Sequence, residues 1–371
     1  MSMNAAMRRP SLDGALIGWD VGGAHLKAAR IEPDDRLSGV WLEPCPLWRS
    51  LDQLRQAIDR IEAAMPANGA CAHAVTMTGE MVDLFATRQA GVQALAAFLD
   101  ERLGAGRVYF YAGTHGWLDV SQARQHAEWV ASANWHATAH LISTCVSEAL
   151  LIDIGSTTTD LIPIRNGAVA TSSSSDRERL SAGELVYTGV VRTPVMALAS
   201  EAPVAGHFTP LMAEHFATSS DVYRILGLLP DKADLHDTAD GGAKTQAASR
   251  ARLARMVGRD AAELSDQAWA DLAAWFAEAQ MARIGRAARQ VLSRELLAAT
   301  APVIIAGVGG FLGPRLAARL GRPVINFSQI LTPHAHPDMI DECAPAVAVG
   351  RLLAAHRPPR NLHAPADTPC G

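Results

Sequence analysis

Two aspartates, Asp20 and Asp153, lie about 130 residues apart in loops of matching make-up. The first loop runs Ile17-Gly18-Trp19-Asp20-Val21-Gly22-Gly23-Ala24-His25-Leu26-Lys27. The second runs Leu151-Ile152-Asp153-Ile154-Gly155-Ser156-Thr157-Thr158-Thr159-Asp160. Apolar residues flank glycine, serine and threonine positions that accept unusual dihedrals, so each loop reads as strand, tight turn, returning strand. The tip of such a hairpin offers N–H groups and hydroxyls to an anion, which assigns phosphate binding to Gly22, Gly23, His25, Gly155, Ser156, Thr157, Thr158 and Thr159. Carboxylates there can hold hydrated Mg²⁺, with Asp20 and Asp153 as the first candidates and Asp160 orienting Thr157 or a metal-bound water. Lys27 could set an ammonium on a phosphate oxygen, or face solvent as most lysines do. The pairing suggests a duplicated lobe with phosphate clamped between the copies.

A third segment, Pro302-Val303-Ile304-Ile305-Ala306-Gly307-Val308-Gly309-Gly310-Phe311-Leu312, is a buried strand entering a glycine-rich turn and a helix. In order and chemistry the three resemble the two phosphate motifs and the adenosine motif of the actin, sugar-kinase and Hsp70 superfamily. The resemblance implies an α/β, two-lobed actin-like ATPase (ribonuclease H-like) fold. It makes Gly307, Gly309 and Gly310 nucleotide-binding candidates and ATP a second ligand beside Mg²⁺. For any single loop, an ordinary strand end remains the alternative.

The elements that must position these loops alternate in the manner of layered α/β lobes. Residues 12–147 are expected to form the first lobe: a returning strand His25–Ile31, a neighbour at Val40–Leu42, a helix Leu51–Met65, a strand His73–Thr78, a helix Gly91–Leu103 and a strand Val108–Tyr111. Residues 148–343 form the second, with Asn166-Gly167 turning a hairpin that sets Asp160–Ile164 against Val169–Thr171. Ser172–Ser175 reads as a surface loop. Helical character fills about 210–300, where Ser265 caps a helix with Trp269, Leu272, Phe276 and Ala279 on its core face. A C-terminal helix over 344–357 and a disordered tail, 358–371, close the chain.

Composition narrows the function classes. The chain has 371 residues, enough for two domains, with 49% hydrophobic residues and a net charge of −5. There is no long basic block, so nucleic acid is not an expected partner. No apolar run reaches the 20 or so residues that span a bilayer, so no membrane partner is expected. Met1–Pro10 lacks the apolar core of a signal peptide. Five dispersed cysteines (Cys45, Cys71, Cys145, Cys343, Cys370) without a CxxC pair fit a reducing cytoplasm. A homo-oligomer stays open.

Further polar residues follow strand ends. Glu80 and Asp83 come after Thr78-Gly79, where a carboxylate could take a proton from a nucleophile or cap the next helix. Asn134 and Trp135 could sandwich an aromatic substrate. Glu184, Tyr187 and Arg192 lie soon after the second loop, and Arg192 could bind a carboxylate or phosphate with both prongs of its guanidinium. Asp221 is read as structural. His334, His336 and Asp338 sit between prolines and lack the spacing of a defined metal site.

These segments together resemble one family. Gly18-x-Asp20-x-Gly22-Gly23-Ala24-His25-x-Lys27 departs from the Gly-Thr-Thr endings of sugar kinases and Hsp70 chaperones. Thr78-Gly79-Glu80, Ala133-Asn134-Trp135, the Asp153 loop, Gly183-Glu184-Leu185-x-Tyr187-x-Gly189-x-x-Arg192-Thr193-Pro194, Asp221-Val222-Tyr223-Arg224-Ile225-Leu226-Gly227, Ala239-Asp240-Gly241 and Ser249-Arg250-x-Arg252-Leu253-Ala254-Arg255-Met256 complete the set. Over most of residues 15–350 the chain resembles the hydantoinase/oxoprolinase-related proteins linked to tetrahydromethanopterin-dependent C1 transfer. The resemblance implies a transferase of methanofuran or methylofuran synthesis. Such an enzyme joins an aminomethyl-furanmethanol diphosphate to the phenol of a glutamyl-tyramine or tyrosine acceptor and releases diphosphate. On that reading Glu80, Asp83 and Lys27 are catalytic and the partners are small diphosphate and phenolic substrates. An ATP-dependent hydrolase or kinase of the oxoprolinase type, or an actin-like ATPase activator, is the alternative.

Overall fold

The computed structural model describes residues 12–66, 69–70, 72–171, 173, 175–331 and 337–357. The chain start, Cys71, Ser172, Ser174, His334, His336, Cys370 and the tail 358–371 lie outside them.

The first sheet contains β1 (Leu16–Val21), β2 (His25–Ile31), β3 (Leu37–Pro44), β4 (Ala72–Met77), β5 (Val108–Tyr111) and β6 (Trp117–Leu118), in the order β3-β2-β1-β4-β5-β6. Helices α1 (Leu51–Ala64), α2 (Arg88–Leu103), α3 (Val120–Gln125), α4 (Ala127–Val130) and α5 (Asn134–Cys145) accompany it. Strands β1 and β2 run antiparallel, while β4 lies parallel to β1 and β5 parallel to β4.

The second sheet repeats that plan. Its strands are β7 (Glu148–Ile154), β8 (Thr159–Arg165), β9 (Ala168–Val169) and, after α6 (Asp176–Ala182), β10 (Leu185–Val186). A small hairpin of β11 (Glu201–Val204) and β12 (His207–Pro210) follows. Next come α7 (Ser219–Ile225), α8 (Gln246–Met256), α9 (Asp266–Leu292), β13 (Val303–Ala306), α10 (Gly313–Leu320), β14 (Val324–Asn326), α11 (Pro337–Glu342) and α12 (Ala344–Ala354). The order is β10-β8-β7-β13-β14, with β9 also on β8. The β7–β8 pair is antiparallel, and β13 and β14 continue parallel from β7, as β4 and β5 do from β1. This is the duplicated actin-like α/β topology.

Local chemistry accounts for the elements. Leu54, Ala57, Ile58 and Ile61 give α1 one buried face. Ser265 accepts a hydrogen bond from the Ala268 N–H to start α9, and Trp269, Leu272 and Phe276 are buried while Ala279 is half-buried. Asn166 and Gly167 both take positive φ, 53° and 69°, as a two-residue hairpin requires, although β9 ends at Val169. The β11–β12 hairpin, just ahead of the helical stretch, is an element the sequence reading did not include.

Helices α5 and α12 lie between the sheets. A central core joins Leu16, Ala29 and Ile31 of the first sheet to Leu151, Ile162 and Ile304 of the second through Ala137 and Ile142 of α5 and Ala346 and Val349 of α12. Contact between α12 and β1 is so close that a methyl group at Gly18 would overlap the Ala346 carbonyl oxygen and come within 2.7 Å of the Gly350 nitrogen. Gly18→Ala is therefore expected to cost about 1–3 kcal/mol or more by overpacking, read as a lowered denaturation midpoint. An unchanged midpoint would show that this contact yields.

Candidate functional site

The two hairpins carry the same geometry to one cleft. In the first, Asp20 pairs with Lys27 across β1 and β2, and the Gly22 N–H donates to the His25 carbonyl at 3.0 Å. In the second, Asp153 pairs with Asp160 across β7 and β8, and the Gly155 N–H donates to the Thr158 carbonyl at 2.9 Å. Asp20 and Asp153 thus occupy equivalent places, but their cross-strand partners have opposite charge. Both carboxylates, with Gly22, Gly23, His25, Lys27, Gly155, Ser156, Thr157, Thr158 and Asp160, line a cavity of about 600 Å³.

The charges within it are arranged unevenly. Burial disfavours the Lys27 ammonium, but Asp20 at 3.4 Å, joined by Cys343 and Asp153, outweighs it, so the Lys27 pKa is raised. Burial pushes the Asp20 carboxyl up, against the lowering by Lys27 and Asn134. Asp20 Oδ1 is buried and has no hydrogen-bond partner among the described residues. Asp153 is pushed up to about 7 by burial and then by the negative charge of Asp160, with Lys27 opposing. Asp160 in turn is paired with the guanidinium of Arg179, which lies 3.4 Å from Asp176 and 4.1 Å above the Trp135 ring. The second hairpin thus needs Arg179 to balance the acid that replaces the lysine of the first.

Two carboxyl groups on one cleft, Asp20 with an unpartnered oxygen and Asp153 with its charge disfavoured by burial and by Asp160, fit a small hard cation bound partly through water, whose charge would favour both carboxylates. The described residues contain no cluster of three or more His, Cys, Asp or Glu side chains that would hold a metal by themselves. Asp160, already occupied by Arg179, is placed beside the pair and not free as a third ligand.

Other expected residues divide in two. Asp83, Asn134, Trp135, Tyr187 and Arg192 line the cleft. The Arg192 backbone N–H donates to the Ser156 carbonyl at 2.9 Å, which ties it to the second hairpin. Glu80, Thr159, Glu184, Gly307, Gly309 and Gly310 do not line it. Glu184 is fully buried, held by Arg294 and the Thr171 hydroxyl, and its expected substrate contact is replaced by a structural ion pair. The Thr159 hydroxyl donates to the Thr188 carbonyl at 2.7 Å and fixes the loop ahead of Arg192. Gly307, at φ 85°, presses on Ile154 and Asp153, and the Gly309 N–H donates to the Ile154 carbonyl at 2.8 Å. That turn supports the second hairpin from behind.

Glu80 is 1% exposed. It accepts a hydrogen bond from Ser132 Oγ at 2.8 Å, its Oε2 is buried without a partner, and burial lifts its pKa to about 7 despite the lowering by Ser132. Ser132 lines the cleft, so its hydroxyl links Glu80 to it. Ser132 holds φ 52°, a left-handed conformation that favours glycine, as positions at functional sites often do. Ser132, Arg179, Asp176 and Trp48 are cleft residues that sequence reading missed. Only the Ser175–Glu178 capping box that starts α6, and so sets Arg179, leaves a readable trace. His25 is driven down to about 3 by burial, then by His236, so it meets a ligand as a neutral imidazole. Cys145, at the end of α5, is exposed, while Cys45 and Cys343 are buried.

The described residues include no helix long and apolar enough to cross a membrane. Asp221 is buried in a network with Ser249 at 2.7 Å and Arg252 at 2.8 Å, as the structural reading expects.

Comparison with known proteins agrees with the resemblance of the motifs. Residues 72–355 match the family model described as hydantoinase/oxoprolinase. A protein of Methanocaldococcus jannaschii named (4-{4-[2-(gamma-L-glutamylamino)ethyl]phenoxymethyl}furan-2-yl)methanamine synthase is 30% identical over 264 residues, 70% of this chain and 76% of that protein. A protein of the same name from Methanococcus vannielii is 34% identical over 116 residues, 31% of this chain and 52% of that one. Among solved structures, a ROK family glucokinase from Streptomyces griseus gives a TM-score of 0.46 at 12% identity, covering 91% of this chain and 99% of that one. Component A of (R)-2-hydroxyglutaryl-CoA dehydratase from Acidaminococcus fermentans gives 0.44 at 11%, covering 92% and 99%. The two-lobed plan stands on the strand order and hairpin register above without these likenesses. With its family model matched over most of its length, the chain belongs to the hydantoinase/oxoprolinase family.

Proposed function

We propose that this chain is a transferase that joins a furfuryl diphosphate bearing an aminomethyl group to the phenol of a glutamyl-tyramine or tyrosine acceptor, forming an aryl ether and releasing diphosphate. One observation carries the reading: two equivalent hairpins, each with an aspartate behind an N–H-lined tip, face one cleft that also holds Lys27. The names of the two methanogen relatives describe an aryl ether of a furfuryl group, the product such a cleft would release.

The chemistry follows from the residues. The C–O bond to diphosphate breaks with its electron pair leaving on oxygen, and the furan ring delocalises the charge at carbon. Lys27 and the N–H groups of the hairpin tips stabilise the growing negative charge. Asp20 and Asp153 would hold Mg²⁺, which supplies further charge neutralisation to the leaving group. The phenol, with an ordinary pKa near 10, passes its proton to Ser132 Oγ as that hydroxyl gives its own to Glu80, and the phenolate oxygen forms the new bond to carbon. A carboxylate poised near 7 can accept that proton at neutral pH.

The test is direct. The protein is incubated with Mg²⁺, the furanmethanol diphosphate and glutamyl-tyramine, with and without ATP, while ether, diphosphate and ADP are followed. Ether and diphosphate in equal amounts without ATP are expected. ADP formation with no ether would replace the proposal by an ATP-dependent reaction of the oxoprolinase or kinase type.

A further inference from the structure

Behind the second hairpin lies a polar network that the chemistry above does not use. Gln280 sits midway along α9, fully buried, on a face otherwise made of Phe276, Ala277, Met281 and Ile284. A lone amide on such a face costs stability unless its polar atoms find partners. All of them do. Gln280 Nε2 donates to Thr188 Oγ1 and to the Gly189 carbonyl, both at 2.8 Å, and Gln280 Oε1 accepts from the Tyr223 hydroxyl. The partners also set which way the amide faces. The Gly189 carbonyl can only accept, so the nitrogen must meet it and the oxygen must meet Tyr223. Burial pushes the Tyr223 pKa up, so that hydroxyl keeps its proton and stays a donor.

The network ends on Gly189. Its carbonyl also accepts from Ser219 Oγ at 2.8 Å and Thr193 Oγ1 at 2.9 Å, and its N–H donates to Thr193 Oγ1 at 2.8 Å. On its other side Gly189 presses on the hairpin tip, where a methyl group would lie 2.4 Å from the Thr157 nitrogen. Val190, Val191 and Arg192 then bind that tip. The Val190 N–H donates to the Gly155 carbonyl at 3.1 Å, and the Val191 and Arg192 N–H groups donate to the Ser156 carbonyl at 3.1 and 2.9 Å.

Those bonds decide where the tip's own donors point. In a trans peptide the carbonyl and the following N–H lie on opposite edges of one plane. With the Gly155 and Ser156 carbonyls held on the 190–192 loop, the Ser156 and Thr157 N–H groups are turned away from it. Neither has an acceptor among the described residues, and both residues line the cleft. Two successive unpaired N–H groups are a receptor for an anion.

We infer that Gln280 is a positioning residue of the anion site: with Tyr223 setting its amide, it fixes Gly189 and thereby aims the Ser156 and Thr157 N–H groups into the cleft. The inference rests on the transferase reading above for the identity of the anion, the departing diphosphate. It also gives a use to the 221–227 motif, which the phosphate chemistry leaves aside. Helix α7 carries Ser219 and Tyr223 to Gly189 and Gln280, while Asp221 anchors that helix to Ser249 and Arg252 of α8.

The experiment reads the tip and its ligand separately. Amide hydrogen exchange is followed by NMR in the full chain, and inorganic diphosphate is titrated calorimetrically in the presence of Mg²⁺. Gln280→Met nearly keeps the volume and removes the amide's bonds. The N–H groups of Val190, Val191 and Arg192 should then exchange about 10–100-fold faster, the scale of a buried carbonyl losing a donor, and diphosphate should bind more weakly by a similar factor. The Gly22 N–H of the first hairpin should exchange as in the native chain. Tyr223→Phe removes only the orienting hydroxyl, so it should give a smaller loss of the same kind and add nothing to Gln280→Met. It decides the matter alone should Gln280→Met fail to fold. Unchanged exchange at residues 190–192, or faster exchange with diphosphate affinity unchanged, overturns the inference. The two proposals fail apart. A chain whose diphosphate binding depends on Gln280 yet which forms no ether loses the transfer reading and keeps the positioning role. If the native chain binds no diphosphate, the transfer reading falls and exchange at 190–192 decides the positioning of the tip by itself.

Discussion

Asp20→Asn and Asp153→Asn are each expected to lower ether formation by about 10³-fold, the several kcal/mol that a bound metal contributes to a departing anion. Asparagine keeps the shape of the side chain and removes its charge, so the loss should appear as a weakened or vanished dependence on Mg²⁺. The two variants should differ in stability. Asp153 is half-buried opposite Asp160 and its carboxyl is held up to about 7, so a neutral amide relieves the repulsion there. Above pH 7 the Asp153→Asn protein should be at least as stable as the native one, because a carboxyl whose folded pKa is raised loses stability as the pH climbs from its ordinary value of 3.8 to the folded value of about 7, and the full cost stands above that. Asp20→Asn instead takes away the partner that Lys27 has at 3.4 Å, leaving a half-buried ammonium less well paired. Its denaturation midpoint should fall. Full activity of both variants at ordinary Mg²⁺ would remove the metal from the proposal.

Glu80→Gln carries the second large effect, a loss of about 10²–10⁴-fold in turnover with donor binding kept. The amide can still accept from Ser132 but cannot take its proton. Native turnover should rise with pH through about 7 as Glu80 ionises, and that limb should be missing from the variant. An acceptor with a more acidic phenol should recover much of the loss, since it arrives already ionised. Ser132→Ala should imitate Glu80→Gln if the hydroxyl is the route, because Glu80 does not itself line the cleft and Ser132 does. A loss that does not depend on acceptor acidity would make Glu80 a support for the Ser132 backbone and nothing more.

The hairpins and the repeat were legible because glycine turns between apolar runs are local signals, and each lobe reads its own. The long amphipathic helix α9 with its Ser265 cap was readable for the same reason. What sequence could not give was direction. Glu80 and Glu184 both stand in chemistry-bearing motifs, yet one turns to Ser132 and the other to Arg294, partners 52 and 110 residues away. Gly307 and Gly309 look like a nucleotide turn, and the second hairpin also packs against both at Ile154, a contact no local pattern announces. Arg179 was invisible because its importance comes from Asp160, which needs a cation only where the first hairpin already has Lys27.

The seating of α12 on β1 has a consequence for synthesis. The opening strand of the chain meets its packing partner only after more than 300 further residues have left the ribosome, since Gly18 rests on Ala346 and Gly350. The first lobe therefore cannot mature as it emerges, the usual habit of N-terminal domains. Its apolar sheet face waits uncovered until translation is nearly finished. Such long-range closure is slow and invites aggregation. Heterologous production should gain from slower, cooler expression or added chaperone, and a nonsense mutation just before Ala344 should damage the far end of the sequence first.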